Sequence, residues 1–108
     1  MSGEADQELT VDVHDEEGVP VLVVRGELDA YSAPTLDAAV EQALAAGATH
    51  LILDLEGVGF IDSSGLRSMI RARKQVGDEP SALRIRRPQQ ATVRLLEITA
   101  LTDHFPVV

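Results

Sequence analysis

Two hydroxyl side chains stand between an acid and a glycine in the segment FIDSSGL, residues 60–66. Asp62, Ser63, Ser64 and Gly65 follow a run of apolar residues and precede a helical pattern, so we expect them in a loop between a strand and a helix. One interpretation is helix capping, in which Asp or Ser accepts hydrogen bonds from backbone amides that the first turn leaves unpaired. The other is phosphorylation of a serine, because a helix start favours an added anion. The sequence leaves both interpretations open.

A second acidic loop is predicted to lie near these serines. Asp29, in GELDAYS, follows another apolar strand. Loops after parallel strands meet at the carboxyl edge of a sheet, where sites on open α/β sheets form. A phosphate on Ser63 would add roughly two negative charges beside Asp62 and Asp29. That addition would change the surface offered to a partner protein without a large movement of the fold.

Basic side chains recur on the helix that follows the serines. Arg67, Arg71 and Lys74 are spaced by four and three residues and therefore form one stripe. The stripe is either a solvated face that balances an acidic protein or part of a partner interface, where arginine is favoured. On the second interpretation Arg67 and Arg71 are partner-binding residues.

Catalytic and metal-binding chemistry finds little support in the rest of the chain. The segment DSSGL lacks the G-x-S-x-G spacing of a nucleophile elbow, and the chain contains no P-loop and no G-x-G-x-x-G. His14, His50 and His104 fall on separate predicted elements and lack metal-ligand spacing, and the chain has no cysteine. We therefore expect neither an enzyme nor a resident cofactor or metal.

The elements that position these residues follow from hydrophobic periodicity. Alternating or continuous apolar runs predict strands at LTVDVHD, VPVLVVRGEL, THLILDLEG, SALRIR and FPVV. Helical spacing predicts helices at YSAPTLDAAVEQALAAG, SGLRSMIRARKQVG and PQQATVRLLEITA. We expect the first helix to be capped at or near Ser32, and the last to start at Pro88 with Val93, Leu96 and Ile98 on or near its inner side. The predicted fold class is α/β in the order β-β-α-β-α-β-α-β, with a mixed, mostly parallel sheet and the first strand on an antiparallel edge.

Length and charge limit the number of domains and the classes of partner. With 108 residues, of which 44% are hydrophobic, the chain fits one domain over residues 9–108 after a flexible N-terminus, residues 1–8. Residues 1–62 carry a net charge of −13 and residues 63–108 one of +4, which make up the total of −9. Such acidity repels nucleic acid and anionic lipid, so we expect neither nucleic acid nor a membrane as partner. The sequence shows no signal peptide and no apolar run of membrane-spanning length, so a cytoplasmic location is the default expectation.

The segments GELDAYSAPTL, LILDLEGVGFIDSSGL and RRPQQATVRLLEITALTDHF resemble the STAS domain family, in particular the bacterial anti-sigma factor antagonists. The resemblance runs from about Leu9 to the end of the chain. It implies that the unmodified protein binds an anti-sigma factor with a histidine-kinase-like ATPase fold, which frees a sigma factor. It also implies that this partner, which brings ATP and magnesium, phosphorylates the antagonist and so releases itself. A phosphoserine phosphatase would then reset the switch.

Carried over by position, the resemblance makes Ser63 the phosphoacceptor. The other residues that it assigns to the partner-facing loops are Asp29, Asp62, Ser64 and Gly65. Arg67 departs from the family pattern, in which small or apolar residues are common at this place. The sequence ends with HFPVV, so we expect the last helix that many relatives have to be short or missing.

Two other functions for a domain of this family remain open from the sequence. Some small STAS proteins are similar to accessory subunits that dock on the ATPase of a lipid-type ABC transporter, and these need no phosphoacceptor. A scaffold-forming stress sensor would require an added sensory domain, for which this chain has no room. The intact D-S-S-G therefore favours the antagonist.

Overall fold

The computed structural model describes residues 8–108, so the expected flexible N-terminus lies, apart from Glu8, outside the described residues. The elements are β1 (Thr10–Glu16), β2 (Val19–Leu28), α1 (Ala33–Ala45), β3 (Leu51–Ile61), α2 (Ser63–Val76), β4 (Leu83–Arg86) and α3 (Gln90–Ile98). Single turns of 3-10 helix lie at Pro80–Ala82 and Thr102–His104. The predicted α/β class and the order of the elements up to α3 are confirmed.

The four strands form one mixed sheet in the order β1-β2-β3-β4. β1 pairs antiparallel with β2, whereas the other two pairs are parallel. A two-residue turn joins β1 to β2, and both of its residues, Glu17 and Gly18, have positive φ angles, as tight hairpin turns require. The parallel pairs are joined through α1 and α2, because a parallel connection has to return along the sheet. The predicted edge position of β1 is confirmed.

The core lies between the sheet and the helices. Alternate residues of the central strands enter it, among them Leu22 and Val24 from β2 and Leu53 and Leu55 from β3. The helices contribute the buried side chains of Leu36, Val40, Leu66, Met69 and Leu96. Burial of apolar surface contributes roughly 25 cal/mol per Å². Because these side chains are aliphatic, the core rests on dense packing of Leu, Val and Ile, with Phe105 as its aromatic member.

The predicted final strand is wrong. FPVV forms only an isolated parallel bridge, in which Val107 pairs with Ile85 of β4. The amide of Ile85 donates to the carbonyl of Pro106, and the amide of Val108 donates to the carbonyl of Ile85, each at 2.9 Å. Pro106 has no N–H to donate, so it cannot take part in a longer ladder. Phe105 instead buries its ring in the core.

The last helix, α3, is shorter than predicted, and one of its three expected inner side chains faces solvent instead. It begins at Gln90, two residues after Pro88, and Ile98 is 75% exposed instead of facing inward. Leu96 is buried, and a residue two positions later lies about 200° further around a helix of 3.6 residues per turn. Leu96 and Ile98 therefore cannot both face the core.

The longest strand, β3, carries the DSSG segment to the end of the sheet. Its pairing with β4 ends at Asp54, whereas its pairing with β2 continues to Ile61, opposite Leu28. The amide of Asp62 donates to the carbonyl of Leu28 at 3.2 Å, so the ends of β2 and β3 stay level. The loops after both strands therefore leave the sheet at one place. We call this place, residues 27–32 and 60–67, the carboxyl edge.

Candidate functional site

Asp62 is the cap of α2. Its Oδ1 atom accepts hydrogen bonds from the amides of Ser64 at 2.9 Å and Gly65 at 3.0 Å, and its backbone is extended, as an N-cap residue requires. Its carbonyl accepts the first helical hydrogen bond, from the amide of Leu66, at 2.9 Å. The capping function that the sequence left open between Asp and Ser thus belongs to the acid.

Ser63 is the first residue of α2 and is exposed to solvent. Its hydroxyl makes no hydrogen bond to another residue of the described chain. Ser64, one residue later, is half-buried, and Ser68 is buried. Of the three serines in the first six residues of α2, Ser63 is therefore the most exposed and the most accessible to another protein.

Gly65 lets the start of α2 lie directly on the end of β2. A Cβ atom at this position would stand 2.5 Å from the carbonyl oxygen of Leu28 and 2.9 Å from the side chain of Ile61. Real Cβ atoms essentially never approach backbone so closely. Glycine is thus required here for packing, which explains its place directly after the two serines.

The loop after β2 is held by its own side chains. Oδ1 of Asp29 accepts hydrogen bonds from the amides of Tyr31 and Ser32, each at 3.0 Å. The hydroxyl of Ser32 donates to the carbonyl of Glu27 at 2.6 Å and accepts from the amide of Asp29 at 3.0 Å. Ser32 does occupy the N-cap position of α1, as predicted, but its side chain caps nothing and bonds within the loop instead. Asp29 therefore holds the conformation of this loop through hydrogen bonds and also gives it a negative charge.

Two exposed aromatic side chains at the carboxyl edge were missed by the sequence analysis. Tyr31, in the Asp29 loop, is 92% exposed, and Phe60, near the end of β3, is 48% exposed. The chain has three aromatic residues, and the third, Phe105, is buried. Aromatic residues are enriched in protein interfaces. Their positions in the sequence could have indicated a place at the site, because Tyr31 and Phe60 lie close to the acids that follow β2 and β3.

Within the basic stripe on α2, Arg71 forms an ion pair with a described residue whereas Arg67 does not. The guanidinium of Arg71 donates to Asp37 Oδ2 of α1 at 2.7 Å, and the hydroxyl of Ser68 donates to Asp37 Oδ1 at 2.5 Å. Arg67 is exposed and forms no ion pair with a described residue. Asp37, which the sequence analysis did not single out, thus ties Arg71 to the neighbouring helix and leaves Arg67 available.

The three histidines remain apart. His14 lies on β1 beside Glu16, His50 precedes β3 beside Thr49, and His104 lies in the turn Thr102–His104. Among residues 8–108, no group of three or more histidine or acidic side chains is arranged to hold a metal ion. Over the same range, no helix combines the length and the apolar character needed to cross a membrane.

Comparison with known proteins decides the family. The family profile described as STAS domain matches residues 10–108. The chain belongs to the STAS domain family. A crystal structure of an anti-sigma factor antagonist from Mycobacterium paratuberculosis superposes on this STAS domain with a TM-score of 0.83 at 32% identity, covering 94% of this chain and 86% of that one.

Curated relatives of this STAS domain carry related names. The anti-sigma-F factor antagonist RsfB of Mycobacterium tuberculosis is 36% identical over 73 residues, which cover 68% of this chain and 60% of RsfB. The chain thus spans about three-fifths of that relative's length. The anti-sigma-B factor antagonist of Bacillus subtilis is 32% identical over 95 residues, or 88% of this chain and 86% of that protein. The phosphorylated form of SpoIIAA, a Bacillus cell fate determinant, shares the fold with a TM-score of 0.70 at 19% identity.

Proposed function

We propose that this STAS domain protein is an anti-sigma factor antagonist that works by partner switching. Its unphosphorylated form binds an anti-sigma factor with a histidine-kinase-like ATPase fold and so frees a sigma factor in the cytoplasm. Phosphorylation of Ser63 by that partner ends the binding, and a phosphoserine phosphatase restores it. The protein is then the substrate of a serine kinase rather than an enzyme.

The exposed, unengaged hydroxyl of Ser63 is the observation that carries this proposal. Asp62 already caps α2, so the fold does not need that hydroxyl. Ser63 also lies level with the Asp29 loop, because Leu28 and Ile61 are paired at the ends of β2 and β3. A partner that contacts the loop can therefore reach the hydroxyl. The names of the relatives in Mycobacterium tuberculosis and Bacillus subtilis support the class of partner.

The chemistry of phosphorylation requires nothing more from this chain than an accessible oxygen. The Ser63 oxygen attacks the γ-phosphorus of ATP, the new O–P bond forms, and the bond to the ADP oxygen breaks. The hydroxyl proton passes to a base of the kinase, while Mg²⁺ bound with ATP offsets the charge on the phosphates. ATP and Mg²⁺ both come with the partner.

A phosphate on Ser63 acts on the partner through charge. Glu27, Asp29 and Asp62 already make the carboxyl edge acidic. The phosphate adds about two more negative charges at a solvent-facing position. In the complex the phosphate would have to give up water beside Asp29 and Asp62, so binding would carry a desolvation penalty and like-charge repulsion. Neither effect requires the fold of the STAS domain to change.

A pull-down from cells of the source organism tests this function. The baits are the wild type, Ser63→Ala, Ser63→Asp and, as a matched control one residue away, Ser64→Ala, with every retained protein identified by mass spectrometry. We expect an ATPase-type kinase to be retained by all baits except Ser63→Asp. Retention of the ATPase of a transporter by all four baits would overturn the proposal and make the protein a docking subunit.

A further inference from the structure

The first turn of α2 has few backbone donors left for a phosphate. A helix start offers amides that lack a partner within the helix, and an added anion normally takes them. Here the carboxylate of Asp62 already accepts from the amides of Ser64 and Gly65. A phosphate on Ser63 would also stand next to that carboxylate along the chain. Within the protein, a side-chain cation is therefore a better-placed partner for the phosphate than the backbone.

Arg67 is placed to provide that cation. It lies four residues after Ser63 in one continuous helix, so the two side chains are neighbours on the same face. Side chains on a helix point back toward its N-terminus, which directs the guanidinium of Arg67 toward Ser63. Both residues are exposed, and neither is bonded to another side chain of the described residues.

The other basic residues of α2 are engaged or distant. Arg71 is paired with Asp37, and Arg73 donates to the carbonyls of Asp78 and Glu79 beyond the end of the helix. Lys74 lies about three turns from Ser63. The loop after β2 packs beside this turn and brings only the acids Glu27 and Asp29 to the carboxyl edge.

We infer that, once Ser63 carries a phosphate, Arg67 pairs with it across one turn of α2. This inference rests on the proposed phosphorylation of Ser63 and specifies how the modified state is held. The unmodified protein offers the Arg67 cation to its partner, whereas the phosphorylated protein uses that cation internally. Phosphorylation thus adds negative charge and withdraws a positive charge from the same surface, so one modification makes the carboxyl edge more negative in two ways.

The test measures the phosphate itself and needs no partner. Phosphoserine is installed at position 63 by genetic encoding, and the second pKa of the phosphate, ordinarily about 6, is followed by ³¹P NMR at low salt. Pairing with a cation favours the dianion and lowers that pKa. We expect Arg67→Gln to raise it by about 0.2 to 0.4 units, which corresponds to the about 0.3 to 0.5 kcal/mol of an exposed i,i+4 ion pair at about 1.36 kcal/mol per pKa unit, and Arg67→Lys to retain most of the effect.

Lys74→Gln is the matched control, because it removes an exposed cation from the same helix beyond the reach of Ser63. We expect its phosphate pKa to equal that of the wild type. If Arg67→Gln and Lys74→Gln both leave the pKa unchanged, Arg67 does not pair with the phosphate and the inference is wrong. A kinase that modifies another residue would instead reject the proposed function, while the measurement on the installed phosphoserine would still report on Arg67.

Discussion

At the scale of single residues, Asp62 and Asp29 perform the same task after neighbouring strands. Each uses its Oδ1 atom to accept two backbone N–H groups of the loop that follows. Asp62 thereby leaves the Ser63 hydroxyl exposed, and Asp29 holds the loop from which the ring of Tyr31 projects. An exposed aromatic ring on a loop that is already ordered loses little conformational entropy on binding. The two acids thus position the Ser63 hydroxyl and the Tyr31 ring, the groups that we propose to meet the partner.

We therefore predict that Tyr31→Ala weakens the complex with the anti-sigma factor by about tenfold or more, the range of an aromatic anchor at an interface. Asp29→Asn keeps an oxygen that can accept both amides and should change the affinity little, whereas Asp29→Ala frees the loop and should weaken binding. Isothermal titration calorimetry measures all three dissociation constants. Ile98→Ala, which truncates an exposed side chain on α3, is the control. Equal affinities for Tyr31→Ala and Ile98→Ala would show that Tyr31 lies outside the interface.

At the scale of elements, α2 is fixed to its neighbours at two points. Its first turn rests on the end of β2 through Gly65, and its second and third turns are bonded to α1 through Asp37. The helix that carries Ser63 is therefore held rigidly against the element that follows the Asp29 loop. This explains how two loops on different strands present one continuous surface.

Gly65→Ala tests the first of these attachments. Because the new Cβ would stand 2.5 Å from a backbone oxygen, α2 must shift, and we expect unfolding in urea to show a loss of about 1 to 3 kcal/mol, as for other overpacked sites. The matched control is Gly59→Ala, where the nearest atom would lie 3.9 Å away and no strain is expected. Equal stabilities for the two variants would contradict the close packing of α2 on β2.

Periodicity revealed most of these elements but not their ends or their contacts. The continuous apolar run of β3 and the change of period at α2 predicted the strand and the helix around Ser63 correctly. The predicted loop is shorter than expected, because Ser63, Ser64 and Gly65 form the first turn of α2 and only Asp62 lies between the two elements. Pro106 prevented the last strand, although FPVV has the composition of one. Asp62 and Ser63 are both good capping residues, so only the backbone geometry could assign the cap. The pairing of Arg71 with Asp37 joins residues 34 positions apart, which local spacing does not report.

At the scale of the whole molecule, the uneven charge is partly balanced across the sheet. Arg86, on β4, donates to both carboxylate oxygens of Glu16, on β1, at 2.9 Å. Arg87 likewise pairs with the buried carboxylate of Asp54. Burial would raise the pKa of Asp54, but the bonds from Arg87 and from the amide of Glu56 lower it below its ordinary value. The acidic first half and the basic second half of the chain are thus linked by ion pairs within the fold.

The ion pair between Glu16 and Arg86 leads us to expect a loss of stability in acid. The hydrogen bond from Arg86, assisted by His14, lowers the pKa of Glu16 from 4.5 to about 2. The pair therefore stabilises the fold above the unfolded value of 4.5, and this contribution is lost as the pH falls toward 2. We expect Glu16→Gln to be less stable than the wild type at pH 7, with the difference shrinking between pH 4.5 and pH 2.

Thermal unfolding of both proteins across that range measures the effect. Glu17→Gln is the control, because Glu17 forms no ion pair with a described residue. High salt should reduce the Glu16 effect, since both side chains of the pair are partly exposed. A difference between the wild type and Glu16→Gln that stayed constant from pH 7 to pH 2 would show that the ion pair does not stabilise the fold.

We propose that one exposed hydroxyl, on Ser63, controls the binding of an anti-sigma factor. The most direct test incubates the purified anti-sigma factor with ATP and Mg²⁺ and with the wild type, Ser63→Ala or Ser64→Ala, then records intact masses and the remaining complex. We expect one phosphoryl group on the wild type and on Ser64→Ala, with loss of the complex, and neither event for Ser63→Ala. Phosphorylation of Ser63→Ala, or a wild-type complex that survives phosphorylation, would contradict it.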